Sequence, residues 1–389
     1  MFDLKKHIIL ITLFVLQIFY VPAYAQNPLD NKTTFHLYNN NFFHDKEYYN
    51  FIADSYTLAG HLIRPEISFK IHENWHLNAG VEAVKYWGIN TKIHVNPVFY
   101  LDYRYTNHNF RFGTLNRDKS HGIMAPLMDP EFRIRADKVE SGMQYQYQTT
   151  NLETEVWMDW HRFVRKKDTF REQVNGGIFL RYKIHLNRIV EIQLPVQFTV
   201  HHRGGQINLR GRYTEGKNAT MTVTSGAMGT ALVFKPFTKH HFSVHFNYLF
   251  HNINTENTEE FIFPQGKALW GGFDWYTDNW HAGLSYWHAE RFNSPLGADI
   301  FQTVSRKVER YYEDGQLLRV FSGHTEPLRF LWIAQTGYYH NFSKDFVFKT
   351  HLDFYYQPYQ VSKPEFPFLK DVYRQLDFLL DVELVYCLQ

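Results

Sequence analysis

The chain has 389 residues, 18% aromatic side chains, and 41 Lys and Arg against 39 Asp and Glu, giving a formal net charge of +2. A balance so near neutral leaves no basic footprint for nucleic acid, and no nucleic-acid partner is expected. The single cysteine, Cys387, excludes an intramolecular disulfide, and the lack of a long apolar run after residue 25 excludes a helical membrane protein.

The N-terminus reads as an export signal. Lys5 and Lys6 precede an apolar stretch from Ile8 to Tyr20, and Ala23-Tyr24-Ala25 is a small-residue cleavage site. The expectation is a signal peptide over 1–25 and one domain over 26–389.

Beyond it the dominant pattern is strict alternation. Val190, Ile192, Leu194, Val196, Phe198 and Val200 fall on one face, with Glu191, Gln193, Gln197 and Thr199 between them. The same reading predicts about sixteen strands. In chain order they cover 33–43, 56–71, 75–87, 94–105, 110–116, 139–148, 152–164 and 173–186, then 189–203, 220–234, 241–253, 268–276, 280–292, 328–341, 346–359 and 372–386. Short turns such as His72-Glu73-Asn74, Thr149-Thr150-Asn151 and Asp278-Asn279 alternate with longer connections such as 117–138, 204–218 and 293–327. Short periplasmic turns opposite long extracellular loops point to an all-β fold: a transmembrane antiparallel up-and-down β-barrel. Pro97 and Pro195 lie inside predicted strands, where a bulge is expected to accommodate the missing N–H.

In the predicted barrel the polar faces point inward. Asp102, Arg104, Arg111, Glu155, Asp159, Arg181, Lys183, Glu191, Asp381 and Glu383 are the lumen and constriction candidates. Adjacent strands are expected to set Glu155 and Asp159 near Arg181 and Lys183. A face so charged calls for a hydrated interior of mixed sign, suited to dipolar or hydroxylated solutes. Tyr100, Trp157, Trp287 and Tyr355 also fall inward and are read as wall packing.

Connection 117–138 carries the apolar run Ile123-Met124-Ala125-Pro126-Leu127-Met128. It is expected to fold into the barrel mouth, with His121, Met124, Leu127 and Met128 at the constriction. Connection 293–327, the longest, surrounds Tyr311 and Tyr312 with charge and is read as a lid or an exposed surface. Histidine is abundant at 22 residues, but His241, Ser243 and His245 form a sparse line with no carboxylate near them in sequence. No metal and no cofactor is expected.

His241-Phe242-Ser243 also matches the His-x-Ser element of outer-membrane phospholipases and lipid A deacylases. Here both polar residues are expected inside, at the short-turn end, and no enzymatic role is assigned to them. Over its mature length the chain resembles outer-membrane porin-like β-barrels of the Bacteroidetes type. The likeness rests on the signal ending Ala23-Tyr24-Ala25, the alternating strands, the loop asymmetry and the ending Leu384-Val385-Tyr386. It implies an outer-membrane channel for small polar solutes, saccharides among them, in contact with outer-membrane lipid and lipopolysaccharide. The alternative is a barrel anchor for a surface-polysaccharide, adhesion or secretion complex with protein partners at its outer loops. A lipid-modifying enzyme ranks last.

Overall fold

The structure, a computed structural model, describes residues 33–88, 93–116, 118–131, 138–165, 168, 170–204, 220–255, 263–313, 316–322, 324–358 and 376–388. The expected signal peptide and parts of several long connections lie outside the described residues.

The alternating segments form the strands β1 (Thr33–Glu47), β2 (Tyr56–His72), β3 (Trp75–Tyr86), β4 (His94–Tyr105), β5 (His108–Thr114), β6 (Ser141–Gln148), β7 (Leu152–Arg162) and β8 (Gln173–His185). They continue as β9 (Val190–Arg203), β10 (Met221–Phe237), β11 (His240–Thr255), β12 (Gln265–Tyr276) and β13 (Trp280–Glu290). Then come β14 (Val308–Glu313), β15 (Gln316–Ser322), β16 (Leu328–Ser343), β17 (Phe346–Tyr356) and β18 (Leu376–Leu388).

Sixteen of these make a closed antiparallel barrel in chain order, with β1 paired to β18 across eleven residue pairs from Leu37–Leu388 to Glu47–Phe378. Closure leaves no strand edge without a partner, a condition for β-structure in lipid. β14 and β15 stand apart as a hairpin within the longest connection, and β13 pairs directly with β16. A pure loop was expected there, because the short hairpin lies among loop-like residues.

Side-chain phase sorts the two faces. In β9 Glu191, Gln197 and Thr199 are buried inside, whereas Leu194 and Val196 are exposed. Val95, Phe99, Phe112, Val244, Phe246 and Leu284 likewise stand out from the wall. Exposed aromatics gather towards both rims, with Trp280, Phe237 and Phe342 near short turns and Trp87, Trp160 and Phe163 near long connections. This apolar exterior with aromatic rims matches a barrel that meets acyl chains.

The expected bulge at Pro195 is absent. The β9–β10 ladder runs from Met228–Val196 to Ala231–Gln193, skipping two residues on each strand and keeping register. A local gap in pairing therefore accommodates the missing donor. Pro97 pairs opposite Val81 without a register shift.

The expectation of a hydrated lumen is corrected in part. A continuous apolar core crosses the middle of the barrel. Tyr48 and Ala53 follow β1, Ile123, Leu127 and Met128 follow β5, and Phe292, Leu296, Ile300 and Phe301 follow β13. They pack on Trp157, Phe179, Leu249, Trp287, Leu331, Ile333, Tyr355 and Leu379 from the wall. Strand alternation tells which side chains point inward; it does not tell that three connections fold in to meet them.

The inserted connections bind one another through their backbones. Asp129 N donates to Leu296 O at 2.7 Å, and Ala298 N donates to Ala125 O at 2.8 Å. Beneath them Arg329 is fully buried, donating to Gln302 O at 2.9 Å and to Ile300 O, and pairing with buried Glu326 at 3.3 Å. Three connections and one buried arginine thus form a single folded stopper.

Candidate functional site

The stopper turns sharply at a 3-10 segment, Asp118–Gly122. Ser120, His121 and Gly122 all have positive φ, of 50°, 57° and 72°. Two adjacent non-glycine residues in this region store strain, which gathers at functional positions. The turn delivers His121 to the inner wall, where it is almost wholly buried and stacks on Trp157 with ring centroids 4.2 Å apart.

Both imidazole nitrogens face carboxylates. Nδ1 pairs with Glu155, and Nε2 lies 2.9 Å from Glu140 Oε2. Glu155 belongs to β7 and is braced by its neighbour β6: Gln144 Nε2 donates to it at 2.7 Å and Gln146 Nε2 at 2.8 Å. Glu140 immediately precedes β6. The result is a carboxylate–imidazole–carboxylate line running from stopper to wall, along which a proton can pass from one side of the ring to the other.

Below this line lies a cavity of about 630 Å³ lined by His121, Glu155, Asn109, Asn116, Gln146, Arg104 and their neighbours. Thr106, Asn107 and Gln148 also line it, so it reaches the short-turn end of the barrel. Its wall is rich in amides, with a guanidinium at Arg104. Glu140 is not part of the lining, so Glu155 is the carboxylate that meets the cavity.

Other inward charges serve the wall. Asp102 is fully buried, held by Arg111 at 2.7 Å and by the more exposed Arg104 at 2.7 Å. Glu191 pairs with Lys235 at 3.1 Å. The expected contact of Glu155 and Asp159 with Arg181 and Lys183 is corrected. Arg181 and Lys183 both pair with Glu153, at 3.3 and 3.8 Å. Register explains this, since Glu153 sits opposite Arg181, whereas Glu155 and Asp159 sit opposite Phe179 and Asn175. Asp159 instead accepts the Ser141 backbone N–H at 2.9 Å. Of the expected constriction residues, Leu127 and Met128 are fully buried and Met124 partly so, its backbone N–H donating to Gln197.

Two groupings escaped the sequence. His245 and His281 contact Asp274 at 3.1 and 3.3 Å, and Ser243 stands opposite Asp274 in the β11–β12 register. A carboxylate therefore does lie close to the His-x-Ser-x-His line, one strand away. The second grouping, His44, Glu131 and Asp381, brings together β1, the stopper and β18. Correct pairing of the first and last strands would have revealed His44 opposite Asp381; nothing local to Glu131 announces its place.

A family model described as lipid A 3'-O-deacylase-type matches residues 25–387. The chain belongs to the lipid A 3'-O-deacylase-type family. This corrects the expectation that the protein is not an enzyme, because the family is an enzyme family. The His-x-Ser tripeptide alone does not carry this relationship, which is spread over residues 25–387.

No curated protein aligns significantly with this member of the deacylase-type family. Several solved barrels are similar to it in form. OprD from Pseudomonas aeruginosa is 10% identical with a TM-score of 0.49, covering 94% of this chain and 96% of its own. OmpT from Vibrio cholerae is 10% identical with a TM-score of 0.47, covering 92% and 99%. An anion-selective porin from Comamonas acidovorans is 8% identical with a TM-score of 0.48, covering 92% and 100%.

Proposed function

We propose that the protein is an outer-membrane hydrolase that removes an acyl ester from a lipid A-type lipid, with its chemistry at the cavity beneath His121. The observation that carries this reading is the buried line Glu140–His121–Glu155, ending on a polar cavity in a chain of deacylase-type family. In this reading Glu155 holds the attacking water, takes its proton as the water oxygen bonds to the acyl carbon, and returns it to the departing alkoxide as the ester C–O bond breaks, while His121, backed by Glu140, orients Glu155. The amides of Asn109 and Asn116 offer N–H groups where charge builds on the ester oxygen. Arg104 receives an anionic group of the substrate. Export through the signal at 1–25 and a single domain over 26–389 belong to the same reading. The short-turn end is then periplasmic, and substrate enters from that side.

The experiment is acyl release from lipid A in mixed detergent micelles, followed by mass spectrometry. The folded protein should liberate fatty acid, and His121→Gln should abolish the release while leaving the barrel folded on a heat-modifiable gel. Equal release by the two proteins would refute the assignment.

The stopper supports a second reading, a channel for small polar solutes that conducts only when the stopper moves. Planar-bilayer recordings of the intact chain and of a variant lacking 122–130 separate the two. Large steady conductance after deletion, without acyl release by the intact protein, favours the channel.

A further inference from the structure

The stopper is tied to the barrel a second time, at the seam between β1 and β18, and the tie has the composition of a metal site. His44 and Glu131 are buried, and Asp381 is a quarter exposed towards the lumen. One ligand atom from each lies within 4.8 Å of the others. His44 Nδ1 is 2.8 Å from Asp381 Oδ1 and 3.7 Å from Glu131 Oε1. Two ligands of a tetrahedral ion at ~2.1 Å are ~3.4 Å apart, between these two distances. The three side chains therefore stand as a preformed half-shell.

Charge and second contacts point the same way. Glu383 approaches His44 Nε2 at 4.0 Å, adding a third carboxylate to the cluster. Lys46 at 3.0 Å from Glu131 and Lys349 at 4.0 Å from Glu383 are cations beside the cluster, and His351 stands opposite Asp381 in the β17–β18 register. Three carboxylates around one imidazole favour a cation there, which a divalent ion supplies by displacing the imidazole proton. Tyr56 OH donates to Glu131 Oε2 at 2.7 Å, holding that carboxylate as outer contacts hold metal ligands. Imidazole with carboxylates suits a borderline ion such as zinc; an all-oxygen set would suit calcium or magnesium.

We propose that His44, Glu131 and Asp381 bind a zinc-class divalent ion that pins the stopper to the seam of the barrel. The site shares no residue with the cavity beneath His121, so its fate is independent of the acyl-ester reading.

The test is calorimetric titration of the full chain, folded in detergent micelles and freed of metal by chelation, with zinc chloride. One ion per chain should bind, magnesium chloride should give no comparable heat, and cobalt chloride should produce visible d–d absorption. His44→Gln and Asp381→Asn, each shown to be folded by gel shift, should weaken zinc by ~10-fold or more. Asp274→Asn, which alters the other histidine–carboxylate grouping, should leave it unchanged. Absence of saturable zinc binding and of cobalt absorption in the unaltered chain would overturn the proposal. So would unchanged affinity in both seam variants, or loss in Asp274→Asn alone.

Discussion

Gly297 and Pro126 touch backbone to backbone: a Cβ placed on Gly297 would lie 2.0 Å from the Pro126 carbonyl oxygen. The contact sits between two backbone hydrogen bonds that join these residues' connections, Asp129 N to Leu296 O and Ala298 N to Ala125 O, and no side chain fits there. Gly297→Ala should push the connections apart and destabilise the folded barrel by about 1–3 kcal/mol. Thermal unfolding in detergent reads the loss, and bilayer recordings should show raised conductance through the loosened stopper.

Arg329 and Glu326 form a fully buried pair under the stopper. Arg329→Met should cost about 3–5 kcal/mol, because it strands a buried carboxylate. The double variant Arg329→Met with Glu326→Gln should recover much of that. A double-mutant cycle on the unfolding midpoint checks this coupling; simple additivity of the two single changes would contradict it.

Inward ion pairs are not equal in weight. Arg111 is buried on Asp102, whereas Arg181 and Glu153 are each about a third exposed in their side chains. Arg111→Ala should therefore destabilise strongly, and Arg181→Ala should change the unfolding free energy by less than about 1 kcal/mol. Unfolding of the two variants side by side is the measurement.

Glu155→Gln should abolish acyl release or reduce it by about 10²–10⁴-fold, whereas Glu140→Gln, one group further from the cavity, should have the smaller effect. Mass spectrometry of released acid on the folded variants orders them. A larger loss in Glu140→Gln would reverse the roles assigned to the two carboxylates.

Leu127 has no exposed surface and belongs to the apolar core that crosses the lumen. Leu127→Ala should cost about 2–5 kcal/mol. Proteolysis of the folded barrel should then cut within 117–131 sooner than in the unaltered chain.

Much of the barrel is legible in residue order because a strand in lipid has little freedom: one face must be apolar, the other polar. Thus Val190–Val200 announces both its strand and its inner face. The inner charges Asp102 and Glu191 follow from the same alternation. Pairings between strands do not, since they need register: two residues along β7 separate Glu153, which faces Arg181, from Glu155, which faces Phe179. The line around His121 was hidden for a different reason. Its three members come from a turn, a strand approach and a strand, and only the positive-φ bend at Ser120–Gly122 brings them together. The apolar run 123–128 signalled insertion, but its partners near Leu296 and Ala298 carry no comparable mark.

The place where the barrel shuts is also where its stopper is fastened. Asp377 of β18 accepts hydrogen bonds from the backbone of Tyr49 and Asn50, Asp381 holds His44, and Lys46 of β1 holds Glu131. Closure of the cylinder and fastening of its inner connections therefore share one set of side chains on β1 and β18. A change that loosens the inner connections also strips the weld between the two terminal strands of its side-chain support.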